Sequence, residues 1–294
     1  MRRKLVKHGE ATMMLSLPAK WLKKFNLGKG DELELEERDS GIFITTGNTL
    51  SNKNKVVIDV NDIFPNVLIN RVMIALYERG VDELEIKFEK YSQIKDFHNR
   101  VMNELIGFEV IKQTPNSILI KDIAKPEKQD QKEFIQRLFL ILDSMIKDLI
   151  ESLENNKPLD TVIETDVAVN KFAHFCQRLL NKYGYSEFNK TAQVYGMVAE
   201  LEKLGDILKR TSREIISKKI KVSKKEIGLL KELNMFLELF RKLFFSFNRE
   251  DSVKFAKKYE EIKSKIEQKG IGLYLFDMNE TIVYMNNYLL VMCL

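Results

Sequence analysis

Two cysteines, three histidines and five prolines among 294 residues set the first exclusions. Cys176 and Cys293 cannot frame a disulfide scaffold, and neither lies in a CxxC or Cys/His spacing that would hold zinc, so both read as buried thiols. None of His8, His98 and His174 has a Glu three residues before it, which removes the Glu-x-x-His ligand pairs of di-iron bundles. His174 and Cys176 are two residues apart, diverge by about 200° on a helix, and cannot share an ion; both read as ordinary packing. GxxxxGK[ST], HExxH and GxSxG are absent, and the chain reads as a non-enzyme. No apolar run approaches the ~20 residues that span a bilayer. Met1-Arg2-Arg3-Lys4 leads into no apolar signal core. The expected compartment is therefore the cytoplasm, without membrane insertion.

The last proline is Pro158, and the long stretch after it lacks the residue most hostile to a helix interior, so that half is expected to be helical. Charge is as uneven as proline. Residues 1–30 hold eight basic residues against Glu10, a net +7, while the whole chain sums to +5, so the basic excess reads as confined to that one segment. A local basic excess points to a polyanionic partner. Apolar residues at 44% and charged residues at 31% describe a chain that buries real cores, and its length predicts two or three domains.

Residues 1–47 read as strands around one short helix. Pro18 stands where a helix begins, Ala19 to Phe25 form its body, and Gly28 or Gly30 stops it. Leu33 and Leu35 alternate with Glu32, Glu34 and Glu36, and Asp39-Ser40-Gly41 turns this strand into a partner through Ile42 and Ile44. Trp21 reads as a core anchor and His8 as a strand-end polar residue. Fewer than fifty residues build a poor core alone, so a second copy is expected to complete it. Asn48 to Asn54 reads as a linker. Residues 55–123 follow as a small α/β domain: strand 56–60, helix 64–79, strand 84–88, helix 91–106 and two strands joined across Thr114-Pro115-Asn116-Ser117. Ile94, Phe97, Val101 and Leu105 mark the inner face of the second helix. Ala124 to Gln131 is a second linker. Two sets of three helices complete the chain, at 130–220 and 223–294, a tandem arrangement read from helix order and length. The last fourteen residues carry no charge and form either a buried closing helix or a contact surface.

Arg3-Lys4-Leu5-Val6-Lys7-His8-Gly9, then Met14-Leu15-Ser16-Leu17-Pro18-Ala19-Lys20-Trp21-Leu22-Lys23-Lys24, then Leu27-Gly28-Lys29-Gly30-Asp31-Glu32-Leu33 resembles the AbrB/MazE/SpoVT family of swapped-hairpin DNA-binding domains. The resemblance implies a homodimeric β-barrel whose basic residues lie against double-stranded DNA. It implies that role for Arg3, Lys4, Lys23 and Lys24, and Arg2, Lys7 and Lys20 join them on charge. In the helical half, Glu164-Thr165-Asp166-Val167-Ala168-Val169-Asn170, Arg178-Leu179-Leu180 and Glu202-Lys203-Leu204-Gly205-Asp206 resemble the PhoU family of phosphate-uptake regulators. That family's acid-x-x-x-Asp motifs imply a divalent or iron-type metal cluster. The implied ligands are Glu164, Asp166, Asn170, Glu202 and Asp206, and side chains four apart share a helix face and offer the oxygens hard cations prefer. Asn170 departs from the motif, as an amide stands for a carboxylate. Glu261 and Lys265 stand at the same spacing in the second helix set, a charge reversal that argues against a second cluster there.

The order of these parts is similar to the archaeal type of phosphate-uptake regulator. The expected fold is multidomain α+β: a dimeric swapped-hairpin barrel, a small α/β domain and tandem three-helix bundles. The expected function is a DNA-binding transcriptional regulator of phosphate uptake. An alternative stays open, a protein-interaction regulator that docks on a phosphate transporter or signalling protein and uses its N-terminal domain for dimerisation only.

Overall fold

Gly9 adopts φ +77°, and the reversal it permits folds Val6–His8 (β1) antiparallel onto Thr12–Met14 (β2), with Lys7 opposite Met13. The computed structural model describes residues 2–38, 41–46, 54–62, 66–124 and 131–294, which belong to two compact units, Met1–Lys53 and Asn54–Leu294. In the first unit, Pro18 caps Ala19–Lys24 (α1) with a fixed φ of −65°, and Lys23 and Lys24 occupy the last turn, where cations suit the helix dipole. Glu34–Arg38 (β3) pairs antiparallel with Gly41–Thr45 (β4), Leu35 opposite Ile44. The expected turn at Asp39-Ser40 lies outside the described residues.

None of the described residues of this unit is buried. Leu5 and Leu35 are each 66% exposed, and Met13, Ile42 and Phe43 are also open. Trp21 is half-buried, stacked in a tilted contact on Phe25 rather than anchoring a core. Among the described residues the two hairpins do not pair with each other and close no barrel.

The second unit opens with a four-stranded sheet in the order β5-β6-β8-β7: Lys55–Asp59 (β5), Glu83–Lys87 (β6), Phe108–Thr114 (β7) and Ser117–Asp122 (β8). β5 and β6 are parallel, and the other pairs are antiparallel. Period-two alternation buries Leu84, Ile86, Ile118 and Ile120 on one face. The other face carries Lys55–Glu85 and Lys121–Glu83 ion pairs at 2.9 and 3.1 Å. Asn66–Glu78 (α2) and Lys95–Glu104 (α3) cover the buried face with Ile69, Met73, Tyr77 and Phe97. The helix expected from Tyr91 begins instead as a 3-10 turn, Tyr91–Gln93, with the Gln93 amide oxygen accepting from Lys90 N at 2.8 Å. The Val101 side chain, residues 63–65 and most of both expected linkers (47–53 and 125–130) lie outside the described residues.

Six helices follow: Gln131–Asn155 (α4), Asp160–Tyr183 (α5), Thr191–Lys218 (α6), Lys224–Phe245 (α7), Arg249–Lys265 (α8) and Gly272–Cys293 (α9). Ile135, Leu138, Leu142, Met145 and Leu149 form the buried stripe of α4 at three- and four-residue steps. A capping box opens α7, with Glu226 N donating to Ser223 Oγ and Ser223 N donating to the Glu226 carboxylate. The two expected sets of three helices pack against each other. One apolar core runs from Ile135 to Leu289 through all six helices, because α9 lies against α6 and α7 while α4 lies against α7. Each set's leftover apolar face covers the other's. The uncharged end of α9 closes this core with Ile282, Met285 and Leu289, while Tyr284 and Val291 remain exposed. Phe175 and Leu179 of α5 belong instead to the core under the sheet, so the α/β layer and the helices fold as one unit.

Candidate functional site

Lys20, Lys23 and Lys24 stand at i, i+3 and i+4 on α1, so one face of a short helix carries three ammonium groups. Arg2, Arg3 and Lys4 precede β1, and Lys7 lies within it. All seven side chains are exposed, and none forms an ion pair among the described residues. Lys24 Nζ rests 5.3 Å from the centre of the Phe25 ring, which orients the ammonium without neutralising it. His8 is exposed at the end of β1. Such a set of free cations can neutralise phosphates and displace their counterions.

The acidic faces of α5 and α6 are arranged differently from the metal cluster expected there. Asp166 is buried, and its Oδ2 accepts a hydrogen bond from Lys209 Nζ at 2.6 Å; the same ammonium reaches Asp206 Oδ1 at 2.5 Å. Asn170 Nδ2 donates to Asp166 Oδ2 at 3.3 Å. Lys209 thus stands where the two carboxylates would share a cation. Glu164, two residues before Asp166, faces solvent on the other side of α5. Among the described residues no group of three or more His, Cys, Asp and Glu is placed to hold a metal ion. The five expected ligands therefore do not assemble as a set. The i, i+3 spacing of Asp206 and Lys209 is legible in the sequence, whereas the reach of Lys209 to Asp166 on the neighbouring helix is not.

A second polar cluster, close enough to Glu202 to influence it electrostatically, was not signalled by the sequence. His174 is 6% exposed, and its Nδ1 lies 2.8 Å from Glu78 Oε1, across the junction of α5 with α2. Tyr195 Oη donates to Glu78 Oε2 at 3.5 Å, and Asn181 Nδ2 to the Glu78 carbonyl at 2.9 Å. Burial alone would lower the basicity of His174, but the Glu78 hydrogen bond and the charges of Glu202, Glu78 and Glu104 outweigh it, holding the imidazole above its ordinary value. Burial also raises the Glu202 carboxyl; the His174 charge opposes this, and Asp206, Glu78 and Asp166 add to it.

One helical turn away, Arg178 is 1% exposed and joins the two layers directly. Its Nη1 donates to the Tyr77 carbonyl at 2.6 Å, and its Nη2 to Asp122 Oδ2 at 2.5 Å. The guanidinium lies 4.9 Å from the Tyr77 ring centre and 5.2 Å from that of Phe108. Lys182 adds a 2.6 Å hydrogen bond to Asp82. The hydrogen-bonded partners are 56 to 101 residues apart in sequence, so no local pattern announces them. Cys176 is buried as expected, and burial pushes its thiol up to about 12. Cys293 is exposed, against expectation, because it falls on the open side of the last turn of α9.

Residues 12–49 match the family model described as antidote-toxin recognition MazE, bacterial antitoxin. The matched stretch contains α1, β3 and β4 with Lys20, Lys23 and Lys24, and it begins after Arg2, Arg3, Lys4 and Lys7. It supports the N-terminal domain type read from the motifs. No curated protein and no solved structure matches the chain.

Proposed function

We propose that the chain is a dimeric DNA-binding transcription regulator in which two copies of the first unit interleave their hairpins into one barrel, while the helical unit receives the signal. The observation that carries this reading is an apolar set without a core. Leu5, Val6, Met13, Leu15, Leu35 and Ile42 are all exposed in one chain, yet four of them sit on strands with ordinary hairpin pairing and Leu5 and Leu15 flank those strands directly. A partner supplying the same surface covers them. The dimer then presents two sets of seven free cations, and phosphate neutralisation supplies affinity that falls with salt, by roughly 0.9 in log-log slope per phosphate contacted.

The likeness of the helical half to the PhoU family supports phosphate uptake as the regulated process, with a phosphate transporter or signalling protein as the source of the signal. An effector acts only through its different affinity for two states of the protein. The Glu78–His174 and Arg178–Asp122 contacts supply a place where helix movement would alter the α/β layer. A divalent or iron-type ion at Asp166 and Asp206 remains part of this reading only if Lys209 yields its place.

Gel-shift titration of the full chain against duplex DNA at two salt concentrations tests the DNA assignment. Changing Arg3, Lys4, Lys23 and Lys24 to Glu together is expected to abolish the shift; a salt-dependent shift that survives ends it. The regulated process is tested separately, by transcript levels of phosphate-transport genes in cells depleted of the protein. Unchanged transcripts under phosphate limitation would remove that part and leave the DNA assignment standing.

A further inference from the structure

Basic charge is not confined to the first thirty residues, as the totals suggested. From Arg210 to Lys225, seven basic residues stand against one acid, Glu214. The fold gathers them at one end of the helical unit, on the last turns of α6, the connection to α7 and the first turn of α7, and all seven are exposed. Glu214 pairs with Lys218, and Glu267 pairs with Lys225 and Lys269. Arg210, Arg213, Lys219, Lys221 and Lys224 have no acidic partner among the described residues. Lys219 ends α6 at φ 50°, a left-handed position that glycine fills at least cost, and thereby sets a charge at the tip.

The α8–α9 connection joins the same end, since Ile271 N donates to Glu226 Oε1 at 2.9 Å. Two apolar side chains stand open there, Ile216 at 48% and Leu273 at 59% exposure. No helix among the described residues is long and apolar enough to cross a membrane. We propose that this end of the helical unit docks on the surface of an anionic phospholipid bilayer. The unpaired cations lie among the phosphodiester headgroups, and Ile216 and Leu273 enter the boundary between headgroups and acyl chains. Duplex DNA would reward the cations equally but offers those two side chains only hydrated backbone and grooves, which is why a bilayer fits better. Lysine outnumbers arginine here five to two, and compact ammonium charges suit a fluid headgroup layer that presents no fixed bidentate geometry.

Co-sedimentation of the full chain with vesicles tests the proposal, comparing equal parts phosphatidylglycerol and phosphatidylcholine with phosphatidylcholine alone. Binding is expected on the anionic vesicles only, and to weaken with salt. Arg213→Glu, Lys219→Glu and Lys221→Glu combined are expected to weaken it by at least about tenfold, from the contribution of each basic residue near a charged surface. The charge-keeping set Arg213→Lys, Lys219→Arg and Lys221→Arg retains binding, and Ile216→Ser weakens it with little change in salt dependence. The variant with Arg3, Lys4, Lys23 and Lys24 changed to Glu retains vesicle binding, which separates this surface from the N-terminal cations. Circular dichroism melts confirm that each variant is folded. The proposal is overturned if the parent protein ignores anionic vesicles, if it binds neutral ones equally, or if the Arg213/Lys219/Lys221 set loses duplex DNA binding while keeping vesicle binding.

Discussion

Single residues decide how the second unit holds together. Arg178 is the largest of its fully buried side chains, and its charge is met by Asp122, a backbone carbonyl and two aromatic faces. Arg178→Ala leaves the buried Asp122 side chain with only Lys182 Nζ at 3.8 Å and the Ala124 N–H, so urea unfolding should show a loss of about 3 kcal/mol. Lys in its place should recover little, since one ammonium cannot serve both directions of the guanidinium fork. Lys209 makes a parallel case. Lys209→Met strands the buried Asp166 carboxylate, and a loss of about 3 kcal/mol is expected by the same measurement. Elemental analysis of the parent and of Asp206→Ala decides whether any metal accompanies these acids; equal content in both leaves them a purely ionic role.

Between elements, the close approaches and the polar junctions matter most. A Cβ on Gly205 would meet Val169 Cγ1 at 2.8 Å, and a β-branched neighbour in a packed core has little room to turn. Gly205→Ala should therefore push α6 away from α5 at a cost of about 1–3 kcal/mol. The junction of α2 with α5 should respond to pH in a defined direction. His174 and Glu202 both bind their proton more tightly folded than unfolded. Their contribution to stability is complete below their ordinary values of 6.5 and 4.5 and is lost as pH rises through the raised folded values. Thermal melts of 54–294 between about pH 6 and pH 9 should show a falling Tm, with about 1 kcal/mol moving it by roughly 2–4 °C. His174→Gln should flatten that slope; an unchanged slope would place the titration elsewhere.

On the scale of the whole molecule, the two units differ in what they own. Residues 54–294 contain two apolar cores, whereas the described part of 1–53 buries no side chain. A fragment of 54–294 should unfold cooperatively at a Tm independent of dilution. The 1–53 fragment should melt at a lower temperature when diluted tenfold, because in the proposed dimer its core forms only on association. Leu35→Asp should abolish that association and leave the melting of 54–294 within the full chain intact. A 1–53 fragment with a dilution-independent Tm would remove the dimer from the proposed function.

Periodicity and punctuation determined the elements. Pro18 and Gly9 set the N-terminal turns, three- and four-residue apolar steps mark the buried face of α4, and the absence of proline after Pro158 left the rest to helices. These signals act within a few residues along the chain and survive without knowledge of the fold. Which helices share a core, where Arg178 and His174 find their partners, and which cation closes the Asp166–Asp206 face were decided only by tertiary packing. Such contacts join residues far apart in sequence, and their energy depends on desolvation, which a one-dimensional pattern does not contain.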